Sequence, residues 1–134
     1  MTAGETLTHG TATASAEGPF TTRQLLRLDE ALRLANQTTG LNFSVYCGEL
    51  AEPGRETAEK LHSELPDPAR SVLLAASPNQ RQLEIVTGEQ ARRRLQDRDC
   101  KLAAFSMAAA FNGGDLAGGF ISGLAMLVNL AGRS

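Results

Sequence analysis

Residues Ser71-Val72-Leu73-Leu74-Ala75-Ala76 form a continuous apolar run bounded by turn-forming residues. A strand that offers no polar side to water has to be covered on both faces, so this run predicts a central strand with packing layers above and below it. The chain has 134 residues, the size of one domain, with no room for a separate cofactor module.

Composition decides what fills those layers. The chain is 42% hydrophobic but only 4% aromatic, with no Trp, one Tyr and five Phe, so Ala, Leu, Val and Ile build the core. Scarce rings argue against stacking platforms for bases or sugars. Thirteen basic residues against fifteen acidic ones give a net charge of −2, which argues against a nucleic-acid partner. Cys47 and Cys100 are too few for a disulfide framework and lack C-x-x-C spacing, so they read as small buried hydrophobes in a reducing compartment. Residues 1–18 lack the basic start and apolar run of a secretory signal, which implies a cytoplasmic protein. They read as a flexible arm or one short strand ahead of a single domain over residues 19–134.

The first helix opens at Phe20-Thr21-Thr22-Arg23-Gln24-Leu25, where Thr21 as N-cap and Gln24 form a capping box and Phe20 staples onto Leu25. Leu25, Leu28, Leu32 and Ala35 then recur at helical spacing, and Gly40 supplies a left-handed stop. Leu41 to Cys47 alternates with period two and predicts a strand. A helix with a charged outer face runs from Pro53 through Leu65 and ends at Pro66 and Pro68. After the central strand, residues 77–82 turn the chain into the hairpin partner Leu83-Glu84-Ile85-Val86-Thr87. Helix, strand, helix, strand, strand is the order of a mixed sheet with helices packed on it.

Two segments close the chain. A short helix carries Arg92, Arg93 and Arg94, and a longer one from about Asp99 to Phe111 has no polar stripe, which predicts burial on most sides. Asn112-Gly113-Gly114-Asp115 then turns into a last helix. Leu116 to Gly132 is seventeen positions without a charge, at the bottom of the roughly 17–25 needed to span a membrane, and glycines dilute it. The small-x-x-x-small pair Gly119 and Gly123 instead predicts close helix packing, either against the sheet or across a subunit contact.

The order of these segments resembles the TPM domain family, named from its thylakoid and nematode members, and more narrowly an actinobacterial branch of small proteins of unknown function. The matching stretches are Leu28-Asp29-Glu30-Ala31-Leu32 with Thr39 to Val45, then Val72 to Ala75, Leu83 to Gly88, Leu95 with Asp97, and Phe111 to Gly119. The resemblance implies a three-layer α/β/α sandwich around a small mixed sheet. Some relatives are described as acid phosphatases or bind calcium through clustered Asp residues, so it also implies a site for calcium or magnesium. Asp97, Asp99 and Asp115 are the acidic residues that the family pattern brings near one another. Where the family often has Asp-Asn-Gly before the central strand, this chain has Ala69-Arg70-Ser71, and of a Gly-x-Gly after the hairpin only Gly88 remains.

Each candidate residue also has an ordinary structural use. Calcium takes six to eight oxygens, whereas Asp97, Asp99 and Asp115 also stand where helices begin and would serve as caps. Glycine amides at Asn112-Gly113-Gly114 could cradle an anion, but Asp115 puts negative charge there, which favours a tight turn. Arg92, Arg93 and Arg94 diverge by about 100° per residue, so they cannot all address one phosphate; they form a solvated face or a docking point for an acidic partner. His62 falls on a charged helix face and reads as a surface residue, Glu84 points away from Leu83 and Ile85 toward solvent, and no nucleotide motif or serine-hydrolase elbow occurs. With no catalytic set, the leading expectation is a non-catalytic domain acting through an unknown protein partner or as a homo-oligomer. Its contacts would fall at Arg92, Arg93 and Arg94 or at Gly119 and Gly123. The alternatives are a metal-dependent acid phosphatase and a protein held at a membrane by its last helix.

Overall fold

The computed structural model describes residues 6–8 and 19–132. Four strands, β1 (Thr6–Thr8), β2 (Asn42–Cys47), β3 (Ser71–Ser77) and β4 (Gln82–Thr87), form one sheet in the order β1-β2-β3-β4. β2 and β3 run parallel, with Val45 beside Leu74, while β1 and β4 pair antiparallel at either end. Four helices cover this mixed sheet: α1 (Thr22–Thr39), α2 (Gly54–Ser63), α3 (Asp97–Asn112) and α4 (Leu116–Ala131). Of the arm expected over residues 1–18, Thr6–Thr8 is a short strand, and the rest lies outside the described residues.

Every residue of β3 is buried, because its side chains alternate between two cores. Val72, Leu74 and Ala76 join Phe43, Val45 and Ile85 beneath α1, α3 and α4, while Leu73 and Ala75 join Tyr46, Val86 and Ala58 beneath α2. The result is a three-layer α/β/α sandwich with unequal layers, one helix on one face and three on the other.

Local sequence signals place the helices. Thr21 Oγ1 accepts from the Gln24 amide at 3.1 Å and Gln24 Oε1 accepts from the Thr21 amide at 2.8 Å, which closes the capping box of α1. At the other end Gly40 adopts φ 76°, and Asn36 Oδ1 accepts from the Phe43 amide at 2.8 Å, tying helix to strand. Phe20 is buried, and its ring meets Phe120 of α4 edge-on with centroids 6.1 Å apart.

The two carboxy-terminal helices differ from expectation. α3 begins two residues earlier than predicted, and it is not buried on most sides: only Ala103 and Met107 are, whereas Leu102 is 53% and Phe105 82% exposed. It lies at the end of the helical layer, with α4 on one side, β4 beneath and, among the described residues, no helix packed on its outer side. Gly119 and Gly123 of α4 are buried against α3 rather than against the sheet. A Cβ at Gly119 would sit 2.5 Å from Phe111 Cε1, and one at Gly123 would sit 2.4 Å from Met107 Sδ.

A helical Gly→Ala change normally stabilises by about 1 kcal/mol. For Gly119→Ala we expect the reverse, a loss of about 1–3 kcal/mol in urea unfolding with helix content retained, because the Phe111 ring occupies the space. A stabilised variant would show that α3 and α4 do not approach this closely.

Candidate functional site

A cleft of about 530 Å³ follows the open edge of β4 between α2 and α3. Its polar wall is made by Arg55 and Glu59 of α2, Glu84 of β4, Arg92, and Lys101 of α3, with Cys100 behind them. Arg55 is the hub. Its Nη1 donates to the outward Ile85 carbonyl at 3.0 Å and faces Glu84 Oε1 at 3.3 Å, while its Nε donates to Glu59 Oε2 at 3.2 Å. One turn beyond β4, Arg92 Nη2 donates to the Thr87 carbonyl at 3.1 Å. Two carbonyls that a further strand would need are therefore already occupied by guanidinium groups, one of the ways in which proteins blunt a sheet edge.

This cleft holds no activated nucleophile. Burial pushes the Cys100 thiol up to about 11, the Asp97 and Asp99 carboxylates add to the rise, and Arg55 opposes it. Burial alone pushes Cys47 up to about 12. Both thiols stay protonated at neutral pH, and the thiolate is the reactive form. Glu84 is half-buried and paired with Arg55 rather than turned freely to solvent.

The three aspartates proposed as metal ligands do not converge. Asp99 Oδ2 accepts from the Gln96 amide at 3.0 Å at the start of α3, and Asp115 Oδ1 accepts from the Gly118 amide at 2.9 Å at the start of α4. The whole of α3, about 24 Å of helix, separates Asp97 and Asp99 from Asp115. Among the described residues no three His, Cys, Asp or Glu side chains stand close enough to hold an ion.

The arginine run is split by structure. Arg92 caps the β4 edge, Arg93 is exposed beside a shallow cavity of about 330 Å³, and Arg94 turns inward. The Arg94 guanidinium donates to the carbonyls of Thr39, at the end of α1, and of Ala131 and Gly132, at the end of α4. Neither helix carries a basic residue in its own last turn, so Arg94 supplies the cation that both carboxyl termini favour. Arg70 donates in the same way to the Gly40 carbonyl. The run of three arginines showed charge but not this division of labour; the missing basic residues at the two helix ends were the available signal.

His62, read as a surface residue, is buried, and its Nε2 donates to the Ser71 carbonyl at 2.9 Å. A charged stretch of α2 concealed the one side of the helix that rests on the sheet. No described helix is long and apolar enough to cross a membrane, and the Phe120, Leu124 and Leu127 side chains of α4 lie in the core.

An α/β/α sandwich with structural capping residues, and without a converging reactive set among the described residues, defines the class. Similar folds occur in the N-terminal domain of a protein from P. gingivalis (TM-score 0.72, 19% identity, covering 84% of this chain and 76% of that one). The BA42 protein from Bizionia argentinensis also matches (TM-score 0.72, 14% identity, 87% and 84% covered). So does the N-terminal domain of the cg2496 protein from Corynebacterium glutamicum (TM-score 0.72, 15% identity, 89% and 78% covered). At these identities the likeness concerns the fold. The chain belongs to the family described as a domain of unknown function, DUF5130, whose model matches residues 5–128. An uncharacterized protein of Mycobacterium tuberculosis, found in two strains, is 34% identical over 113 residues, covering 84% of this chain and 68% of the relative.

Two outcomes test this geometry. Arg94→Ala should lose about 2 kcal/mol of stability in urea unfolding and Arg94→Lys should recover little, since an ammonium lacks the planar fork; Arg93→Ala should stay within about 0.5 kcal/mol. Equal effects at the two positions would sink the assignment. In a thiol titration with a disulfide reagent near neutral pH, both cysteines should react slowly in the native protein and quickly in denaturant; fast native labelling of Cys100 would contradict its protonated state.

Proposed function

We propose that this DUF5130 domain is a TPM-like accessory domain that works through a protein contact rather than by catalysis, in the cytoplasm. One observation carries the reading: the side chains that looked chemical in the sequence are engaged in holding the fold. Asp99 and Asp115 cap helices, Arg94 joins two helix ends, His62 holds Ser71, and Arg92 covers the β4 edge. Two free thiols fit a reducing compartment. Apolar side chains left facing water are Leu102 and Phe105 on the outer side of α3, Leu26 and Leu34 on α1, and Leu130 on α4.

The competing reading, a divalent-metal-dependent acid phosphatase, is separated by a direct assay. We expect no turnover of p-nitrophenyl phosphate with or without Ca²⁺ or Mg²⁺ at acidic or neutral pH, and no calorimetric heat at millimolar metal. Metal-dependent turnover that is lost in Asp97→Asn or Asp115→Asn would overturn the proposal.

A further inference from the structure

The shallow cavity of about 330 Å³ at the carboxyl end of α1 holds more positive charge than the fold uses. Arg70, Arg93 and Arg94 line it together with Gln90 and the Thr39–Leu41 segment, and no acidic side chain does. The nearest acids lie outside. Asp67 Oδ2 stands 3.8 Å from Arg70 Nη1, and Glu89 lines the neighbouring cavity beside His62, as does Arg92. Helix ends count as well, because Arg94 donates to the carbonyls of Thr39, Ala131 and Gly132, and Arg70 donates to that of Gly40. Each helix carboxyl terminus carries about half a negative charge. Three guanidinium groups therefore meet one carboxylate and two half-charges, which leaves about one positive charge over. It belongs to Arg93, which is exposed and whose guanidinium has no hydrogen bond or ion pair among the described residues.

We propose that this cavity is a docking point for one carboxylate of a protein partner, an exposed Glu or Asp side chain taken up by Arg93 with Arg70 beside it. This rests on the interaction-domain reading above and gives the partner its chemistry. A surplus near one charge matches a carboxylate better than a phosphate group, which carries about −1.5 to −2 at neutral pH. The planar fork of Arg93 can hold both carboxylate oxygens at once, with all of its N–H donors free. Gln90, exposed beside it, adds a side-chain amide that makes no bond among the described residues. Arg70 is held loosely by its own acid: 3.8 Å is too long for a hydrogen bond, so an incoming carboxylate can take the place of Asp67. An exposed ion pair holds little by itself. A free small acid would not stay in so open a cavity, and the carboxylate has to arrive on a surface that makes further contacts.

NMR signals of the arginine Nε–H groups and the backbone amides read this contact in place. At matched ionic strength, a tri-glutamate peptide with blocked ends, added to millimolar concentration, should shift Arg93 Nε–H and the Gly40 and Gln90 amides saturably. Arg98 should stay where it is, and a blocked tri-glutamine peptide should shift nothing. Arg93→Glu should lose the response with circular dichroism unchanged, since the side chain is exposed and supports nothing in the fold. Asp67→Asn should tighten binding by about two- to threefold, the size of one exposed ion pair. No saturable shift, an Arg98 response equal to that of Arg93, or a response that survives Arg93→Glu would each overturn the proposal. So would inorganic phosphate that saturates the cavity at a lower concentration than the peptide. The phosphatase assay reads the broader proposal independently. A missing peptide response without turnover removes this docking point alone, and metal-dependent turnover removes the interaction reading.

Discussion

Burial of β3 on both faces is the constraint on which the rest depends. Its alternating side chains need an apolar layer on each side, and parallel pairing with β2 needs a crossover long enough to hold a helix. The Cys47-to-Ser71 connection provides that helix, and α2 covers the smaller core formed by Leu73, Ala75, Tyr46 and Val86. The larger core then has to be closed by three helices that come from both ends of the chain. Once α1 and α4 lie side by side over β2 and β3, α3 falls at the margin above β4, which is why its outer row remains uncovered.

The ends of those helices are held by groups from elsewhere in the chain. Arg94 spans the carboxyl termini of α1 and α4, so the turn after β4 fixes how the first and last helices meet. The α3–α4 pair is fixed differently, by glycines that let Phe111 and Met107 press against the α4 backbone. These contacts account for side chains that otherwise look available for chemistry.

Much of the fold was legible because its signals are local. The Thr21–Gln24 capping box, the Gly40 stop, the apolar β3 run and the β3–β4 hairpin each depend on a few adjacent residues, and the structure contains all of them. Signals that depend on who stands alongside were harder to read. The apolar pattern of α3 says that it packs, but not that one side lacks a neighbour; His62 sits among charged residues and yet rests on Ser71. Arg94 looked like one of three equal charges because its acceptors lie 37, 38 and 55 positions away in the chain. The aspartates were sound as caps, whereas a shared site required knowing that α3 holds them apart.

The arginines on the β4 edge carry one more implication. The planar fork of a guanidinium lets Arg55 hold the Ile85 carbonyl while it also reaches Glu84 and Glu59, and Arg92 holds the Thr87 carbonyl two residues along the same edge. Among the described residues the sheet ends at β4 with both of those acceptors taken, so a strand arriving from another molecule would find fewer places to bind on that side.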